Sequence, residues 1–222
     1  ELIGVSVEVN NIVTQSELIP EELVDTIVVR YMPQVLPNVT RTMSVISFPL
    51  FMGFTMELDD IWVEDFNNEL RTQISQHNTD NIILDLRHNA GGDGSTYPPL
   101  LKTLVQFEAL RPNGKVFVLI GRNTFSAAHN LLLDINRLAS PILVGEPSGS
   151  RPNALSEAGW FKLPYSGIWG IISSQFHQAS KAEDHRISVA PHVPVSLSAK
   201  QYFSGDDPAL RAIYRIISQS KD

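Results

Sequence analysis

Three short apolar runs decide most of what this chain can fold into: NIILDLR at 81–87, KVFVLI at 115–120 and PILVGE at 141–146. Each is continuously hydrophobic rather than alternating, and each is short. That is the pattern of a strand buried on both faces. Between them lie STYPPLLKTLVQF, a helix with prolines in its early turns, and SAAHNLLLDINRLA at 126–139, a second helix. Strand, helix, strand, helix, strand makes two right-handed crossovers, so the strands run parallel and helices cover the sheet. The class is α/β.

The flanks add to this frame. DDIWVEDFNNELRTQIS reads as a helix capped by Asp59 or Asp60, with Phe66, Leu70 and Ile74 at four-residue spacing, and MSVISF reads as a strand. Earlier still, ELIGVSVEV reads as a strand and PEELVDTIVVRYM as a helix with Pro20 at its first position. Pro33, Pro37 and a polar NVT mark a boundary near residue 40, separating an N-terminal segment, 1–40, from a core domain, 41–222. Beyond the alternating region, WFKLPYSGIWGIISSQF reads as two strands around a Ser-Gly turn, an antiparallel addition. DDPALRAIYRIISQS closes the chain as a capped helix with Pro208 near its start.

Composition narrows the function classes. The 222 residues suffice for one substantial core, or one core and an appendage. With 17 basic and 24 acidic residues the net charge is −7, which argues against nucleic acid as a partner because phosphate contacts need a basic footprint. The absence of cysteine excludes disulfides, thiolate catalysis and cysteine-ligated metal. The longest apolar stretch, VISFPLFMGFTM, is broken by Pro49 and Gly53 and is too short to span a bilayer, so no membrane span is expected. The chain starts at Glu1 with no basic-then-apolar leader and reads as a processed form or an excised fragment. A glycosylation sequon, Asn38-Val39-Thr40, is too common by chance to carry weight.

In parallel α/β sheets, ligands bind beyond the carboxyl ends of the strands. Two consecutive strands here run into the loops HNAGGDG and GRNTFS. If those strands are neighbours, Gly91-Gly92 and Ser126 share one sheet edge. A glycine pair leaves backbone N–H groups bare and free to point into a cavity. Ser126 at a helix start lies beside free N–H groups and the positive end of the helix dipole. An oxyanion could then be held by the N–H of Ala127 and by that of Gly91 or Gly92. Taken one at a time, each feature has a plainer reading. Ser126 caps the helix, Gly91-Gly92 makes a turn, and Asp85 with Arg87 forms a structural ion pair.

Together and in order, the segments resemble a known family. IILDLRHNAGG, GRNTFSAAHN, LVGEPSG, FKLPYSG, DHRISVAPHVPV and YFSGDDPAL follow the arrangement of the C-terminal processing (tail-specific) proteases, over about residues 42 to 215. The resemblance implies a ClpP/crotonase-like fold, a superhelix of strand-strand-helix units with a mainly parallel sheet. It makes 41–222 the protease core. It also implies Ser126 as nucleophile, with an oxyanion hole at Gly91, Gly92 and Ala127, and peptides or unfolded protein as substrate. No cofactor is expected.

Two departures matter. Many members use a lysine as base a little past the GEP segment, where this chain has Arg151. Arginine stays protonated at ordinary pH and cannot serve as the base, so Arg151 is instead a candidate for holding a substrate carboxylate. The sequence looks closer to the tricorn-like and chlamydial branch, in which a serine works with a histidine and an acid. EDHR supplies Asp184, or Glu183, as that acid. The branch takes its histidine from ahead of the core, and residues 1–40 contain none. The expected partner is therefore an N-terminal portion of the same protein that supplies the histidine.

Among the histidines present, His129 lies one helical turn after Ser126, where the family has glutamate or glutamine, and is expected to pack or hydrogen-bond. His185 adjoins Asp184, His88 sits in the glycine loop, and His77, His177 and His192 show no site spacing. The six form no pattern such as H-E-x-x-H, so no zinc is expected. Two other uses of the fold stay open: a carrier of hydrophobic ligands, as in the retinoid-binding proteins of the photoreceptor matrix, and a crotonase-like acyl-CoA enzyme. Relatives of the protease family are often exported, so an extracytoplasmic or secreted location is expected.

Overall fold

The computed structural model describes residues 26–30, 63–76, 80–92 and 94–219. A five-stranded, all-parallel sheet carries the chain in the order β1-β2-β3-β4-β7: β1 Thr26–Arg30, β2 Asn81–Asp85, β3 Lys115–Ile120, β4 Ile142–Gly145 and β7 Val193–Pro194. β2 and β3 are neighbours, with Asn81 opposite Lys115 and Asp85 opposite Leu119. The crossovers are α2 (Pro98–Leu110) and α3 (Ser126–Leu138), preceded by α1 (Val63–Gln76).

The continuous apolar runs are explained by two cores, one on each face. Ile82, Leu84 and Leu86 join Val116, Val118, Ile120 and Leu143 against Leu70 of α1, Leu100 and Leu104 of α2 and Leu131 and Leu132 of α3. The alternate residues Ile83, Phe117, Leu119 and Val144 pack on Ala209, Leu210, Ile213 and Ile217 of α5 (Pro208–Gln219). A strand with a helix on either face has no solvent side, so its side chains need not alternate in polarity.

Between β4 and β7 the chain leaves the sheet as an antiparallel hairpin, β5 (Asn153–Lys162) and β6 (Trp169–Gln178). The expected Ser-Gly turn closes it. Gly167, at φ +70°, donates its N–H to the carbonyl of Leu163. A short helix α4 (Ala199–Ser204) starts with a capping box between Ser198 and Gln201.

The helix expected from Pro20 gives way at Thr26–Arg30 to β1, paired in parallel with β2 from Thr26↔Asn81 to Arg30↔Asp85. Four of the five residues in TIVVR are β-branched, and lateral pairing in the sheet outweighs the helix-start signals upstream. The strands read at ELIGVSVEV and MSVISF, the boundary near residue 40 and the Asp59/Asp60 cap lie outside the described residues.

Candidate active site

The carboxyl ends of β2, β3 and β4 open into three loops that are bonded to one another. Asn89, buried in the loop after β2, does two things. Its carbonyl accepts the N–H of Phe125 (3.2 Å) and its Oδ1 accepts the N–H of Gly91 (2.8 Å). Thr124, fully buried, donates its hydroxyl to the carbonyl of Leu86 (2.9 Å) and accepts the N–H of Gly121 (3.0 Å). The loop after β4 docks through Gly149, whose N–H reaches the carbonyl of Thr124 (3.1 Å). A Cβ on Gly149 would lie 1.9 Å from the Arg122 carbonyl oxygen, so only glycine permits this approach.

Ser126 sits where these bonds converge. It is not the cap of α3. Phe125 holds that position with extended backbone, no side chain bonds the helix N-terminus, and Ser126 follows at φ +50°. A left-handed conformation costs a non-glycine residue roughly 1–2 kcal/mol, and it persists only where the surroundings impose it. Here the N–H groups of Ala128 and His129 both return to the Phe125 carbonyl, which fixes the turn into α3. The Ser126 hydroxyl is half-buried and has no hydrogen-bond partner among the described residues.

Gly91 lies directly against this turn. A Cβ built on it would meet Cβ of Ser126 at 2.5 Å and the Ala127 nitrogen at 2.8 Å, and its φ is +101°. The glycine pair and the serine therefore do share one edge, as neighbouring strands require. The N–H of Gly91 is already given to Asn89. Of the two glycines, Gly92 (φ +131°) has the backbone N–H without a partner among the described residues, and Ala127 is in the same condition at the start of α3.

Asp184 lies in the loop after β6, against the later turns of α3. With Arg186 it lines a cleft of about 790 Å³ against Leu133, Asn136 and Arg137. Its carboxylate is fully engaged: Oδ1 accepts from Nε (2.8 Å) and N–H (3.2 Å) of Arg186, and Oδ2 accepts from Nη2 of Arg186 (2.6 Å) and Oγ of Ser180 (2.7 Å). These bonds hold the carboxyl well below the usual carboxylate range. No hydrogen bond joins Asp184 to Ser126 among the described residues. Glu183 lines the same cleft. Arg151 is exposed just before β5 and pairs with no carboxylate among the described residues.

His129 is buried beneath this surface, and burial, with Arg186 nearby, lowers its pKa to about 4 although Asp184 acts the other way. Its Nε2 and the Nδ2 of Asn89 are the buried side-chain nitrogens left without a partner among the described residues. Both flank Ser126 in the structure's connectivity, one in the glycine loop and one a turn into α3. An orphaned buried polar atom costs roughly 1–3 kcal/mol, so each of the two runs against stability. The expected Asp85–Arg87 pair forms (2.6 Å) and extends to Asp207 (2.8 Å), joining α5 to the glycine loop. His192 accepts the N–H of Leu143 at Nδ1 and is structural.

The sequence signals missed Asn89, Thr124, Arg186 and Asp207. Asn89 beside Gly-Gly looks like any turn asparagine, and the partners that give these residues their roles lie up to 120 positions away.

No family model and no curated protein matches the chain. Among solved structures it is similar to a mutant of CPAF, with a TM-score of 0.52 and 12% identity over 78% of this chain and 49% of that one. It is also similar to the photosystem II D1 C-terminal processing protease, with a TM-score of 0.44 and 16% identity over 60% and 39% of the two chains. The tricorn protease gives a TM-score of 0.44 and 14% identity over 71% and 17%. The chain thus spans less than half the length of each of these three. The likeness to CPAF is one of fold, and with the parallel sheet and its crossovers it makes the architecture ClpP/crotonase-like.

Proposed function

We propose that this chain is the core of a serine peptidase of the tail-specific type, which cleaves peptides or unfolded protein through an acyl-enzyme on Ser126. One observation carries the reading. A serine held at φ +50° on a strand-to-helix turn has the bare N–H of Ala127 beside it and Gly91 packed so close that a Cβ added there would lie 2.5 Å from its own Cβ. Strain at a nucleophile, with uncommitted N–H donors around it, suits acyl transfer.

In this mechanism Oγ of Ser126 attacks the scissile carbonyl and gives up its proton to a histidine on another portion of the same protein. The N–H groups of Ala127 and Gly92 hold the oxyanion, while Gly91, fixed by Asn89, keeps the loop close. Collapse of the intermediate returns the proton to the leaving amine, and water then releases the acyl group. Asp184 orients the histidine. Because Arg186 and Ser180 occupy both its oxygens, it does so only after Arg186 yields one of its donors. Arg151 holds a substrate carboxylate. An extracytoplasmic or secreted location fits a peptidase of this type.

The test is intact mass after incubation with a fluorophosphonate, on this chain and on Ser126→Ala. The expected result is one adduct, lost with the substitution, at a rate that rises when the histidine-bearing portion is supplied. An adduct that survives Ser126→Ala, or no adduct even with that portion present, removes Ser126 as the nucleophile.

A further inference from the structure

Tyr97 stands at the N-cap of α2 and does not cap it. Residues that cap a helix carry a short polar side chain. A tyrosine can hold the position here because Pro98 and Pro99 follow, and neither has an N–H to satisfy. Its side chain is therefore free for another use. The half-buried ring packs against the core shared by α1, α2 and α3. Its hydroxyl donates to Oδ2 of Asp134 on α3 at 2.8 Å. Arg137 donates to the other oxygen, Oδ1, at 2.7 Å. Burial, and after it the bond to Asp134, push the phenol above its usual range, so it stays protonated and keeps donating.

This bond fastens the far end of the glycine loop to the helix that Ser126 opens. A Cβ added to Gly94 would lie 3.5 Å from Cε1 of Tyr97 and 3.7 Å from Cβ of Ala127, so Gly94 faces both the ring and the first turn of α3. Ala127 and Asp134 are two turns apart on one face of that helix. At its near end the loop is held by Asn89, which takes the N–H groups of Phe125 and Gly91.

Gly92 falls between the two anchors. It is exposed, and its N–H has no partner among the described residues. Glycine has the widest backbone freedom of any residue, so the direction of this N–H is imposed by what holds the loop on either side. Ala127, which carries the other uncommitted N–H, belongs to α3. The placing of one donor relative to the other therefore depends on how firmly the loop is tied to that helix.

We propose that Tyr97 is a positioning residue for the oxyanion hole: its bond to Asp134 holds the glycine loop against α3 and so sets the N–H of Gly92 beside that of Ala127. This rests on the peptidase reading and adds to it the residue that keeps the two donors together. Deleting a whole donor costs roughly 10²–10³ in rate, and a misplacement of about 1 Å can cost about 10². Loss of the hydroxyl loosens the loop and deletes no donor, so a loss of about tenfold is expected.

The test is the rate of fluorophosphonate labelling over a range of reagent concentrations, with the histidine-bearing portion present. It compares the parent with Ser126→Ala, Tyr97→Phe, Asp134→Ala and the double variant of the last two. Tyr97→Phe keeps the ring, and the Asp134 side chain is 24% exposed, so water replaces the lost partner and the fold is kept. Thermal denaturation checks this. Tyr97→Phe should lower the limiting rate about tenfold and leave the half-saturating concentration unchanged. Asp134→Ala should do the same, and the double variant should be no slower than either, as for two residues acting through one bond. A limiting rate in Tyr97→Phe equal to that of the parent overturns the proposal and leaves the peptidase reading standing. So does a double variant whose loss is the product of the two single losses, because the residues then act separately. If no adduct in the parent depends on Ser126, the peptidase reading itself fails and the proposal falls with it.

Discussion

His129 couples the packing of the site to pH. Buried one turn along α3 from Ser126, its imidazole titrates at about 4 instead of 6.5, chiefly because burial disfavours the cation, with Arg186 adding to this and Asp184 opposing it. Between those two values the unfolded chain binds a proton that the folded chain refuses. Stability is therefore full above about pH 6.5 and falls as the pH drops towards 4. The loss attributable to this one group is on the order of 3 kcal/mol. Urea denaturation midpoints measured across that window should decline in the parent chain and decline much less in His129→Gln. An undiminished slope in the variant would assign the titration to another group. At this scale the sequence was legible where a residue's role depends on its immediate neighbours. Ser126 and the glycine pair stand out because each sits at the end of a readable strand. The Nε2 of His129, the double bond made by Asn89 and the grip of Arg186 on Asp184 are set by burial and by loops that meet only in three dimensions, and no local pattern announces them.

At the scale of elements, α5 shows how one residue can fasten a helix. Oδ1 of Asp207 accepts the N–H groups of Ala209 (3.0 Å) and Leu210 (3.1 Å), capping the helix behind Pro208, and the same carboxylate pairs with Arg87. Arg87 in turn grips Asp85 through Nε and Nη2. Removing the cap costs about 1 kcal/mol, and depriving a part-buried guanidinium of one partner adds about 1–3 kcal/mol. Asp207→Ala should accordingly lower stability by roughly 2–4 kcal/mol, and Asp207→Asn, which keeps the cap, by about half as much. Thermal denaturation of both variants measures the difference; equal losses would mean that the ion pair contributes nothing. The helix and its proline start were readable in the sequence, since Asp before Pro is a local capping signal. The link to Arg87, 120 residues away, was not. The same division holds elsewhere. β3 coincides with its apolar run at Lys115–Ile120, whereas β2 stops at Asp85, two residues before its run ends, because the N–H of Arg87 turns to the Asp85 side chain. At Thr26–Arg30 the choice between helix and strand was made by the neighbouring β2, which no window around residue 26 contains.

For the whole molecule, the fold divides into a body and an extension with very different burial. β2, β3 and β4 are covered on both faces, while β5 and β6 are exposed along most of their length. The extension is tied down at its base, where the Asn153 side chain bonds the carbonyl of Lys181 (2.7 Å) and the N–H of Ser180 (3.0 Å), and the N–H of Ala179 meets the carbonyl of Pro152 (3.3 Å). Amides that open only with global unfolding are the slowest to exchange, and those in elements with few buried contacts exchange by local opening. Amide hydrogen exchange in dilute solution should therefore be slowest in β3, flanked on both sides by strands, and faster by orders of magnitude in β5 and β6. Hairpin amides as slow as those of β3 in dilute solution would mean that the extension belongs to the same cooperative unit as the sheet, and that its exposed apolar face is stabilised from within one chain.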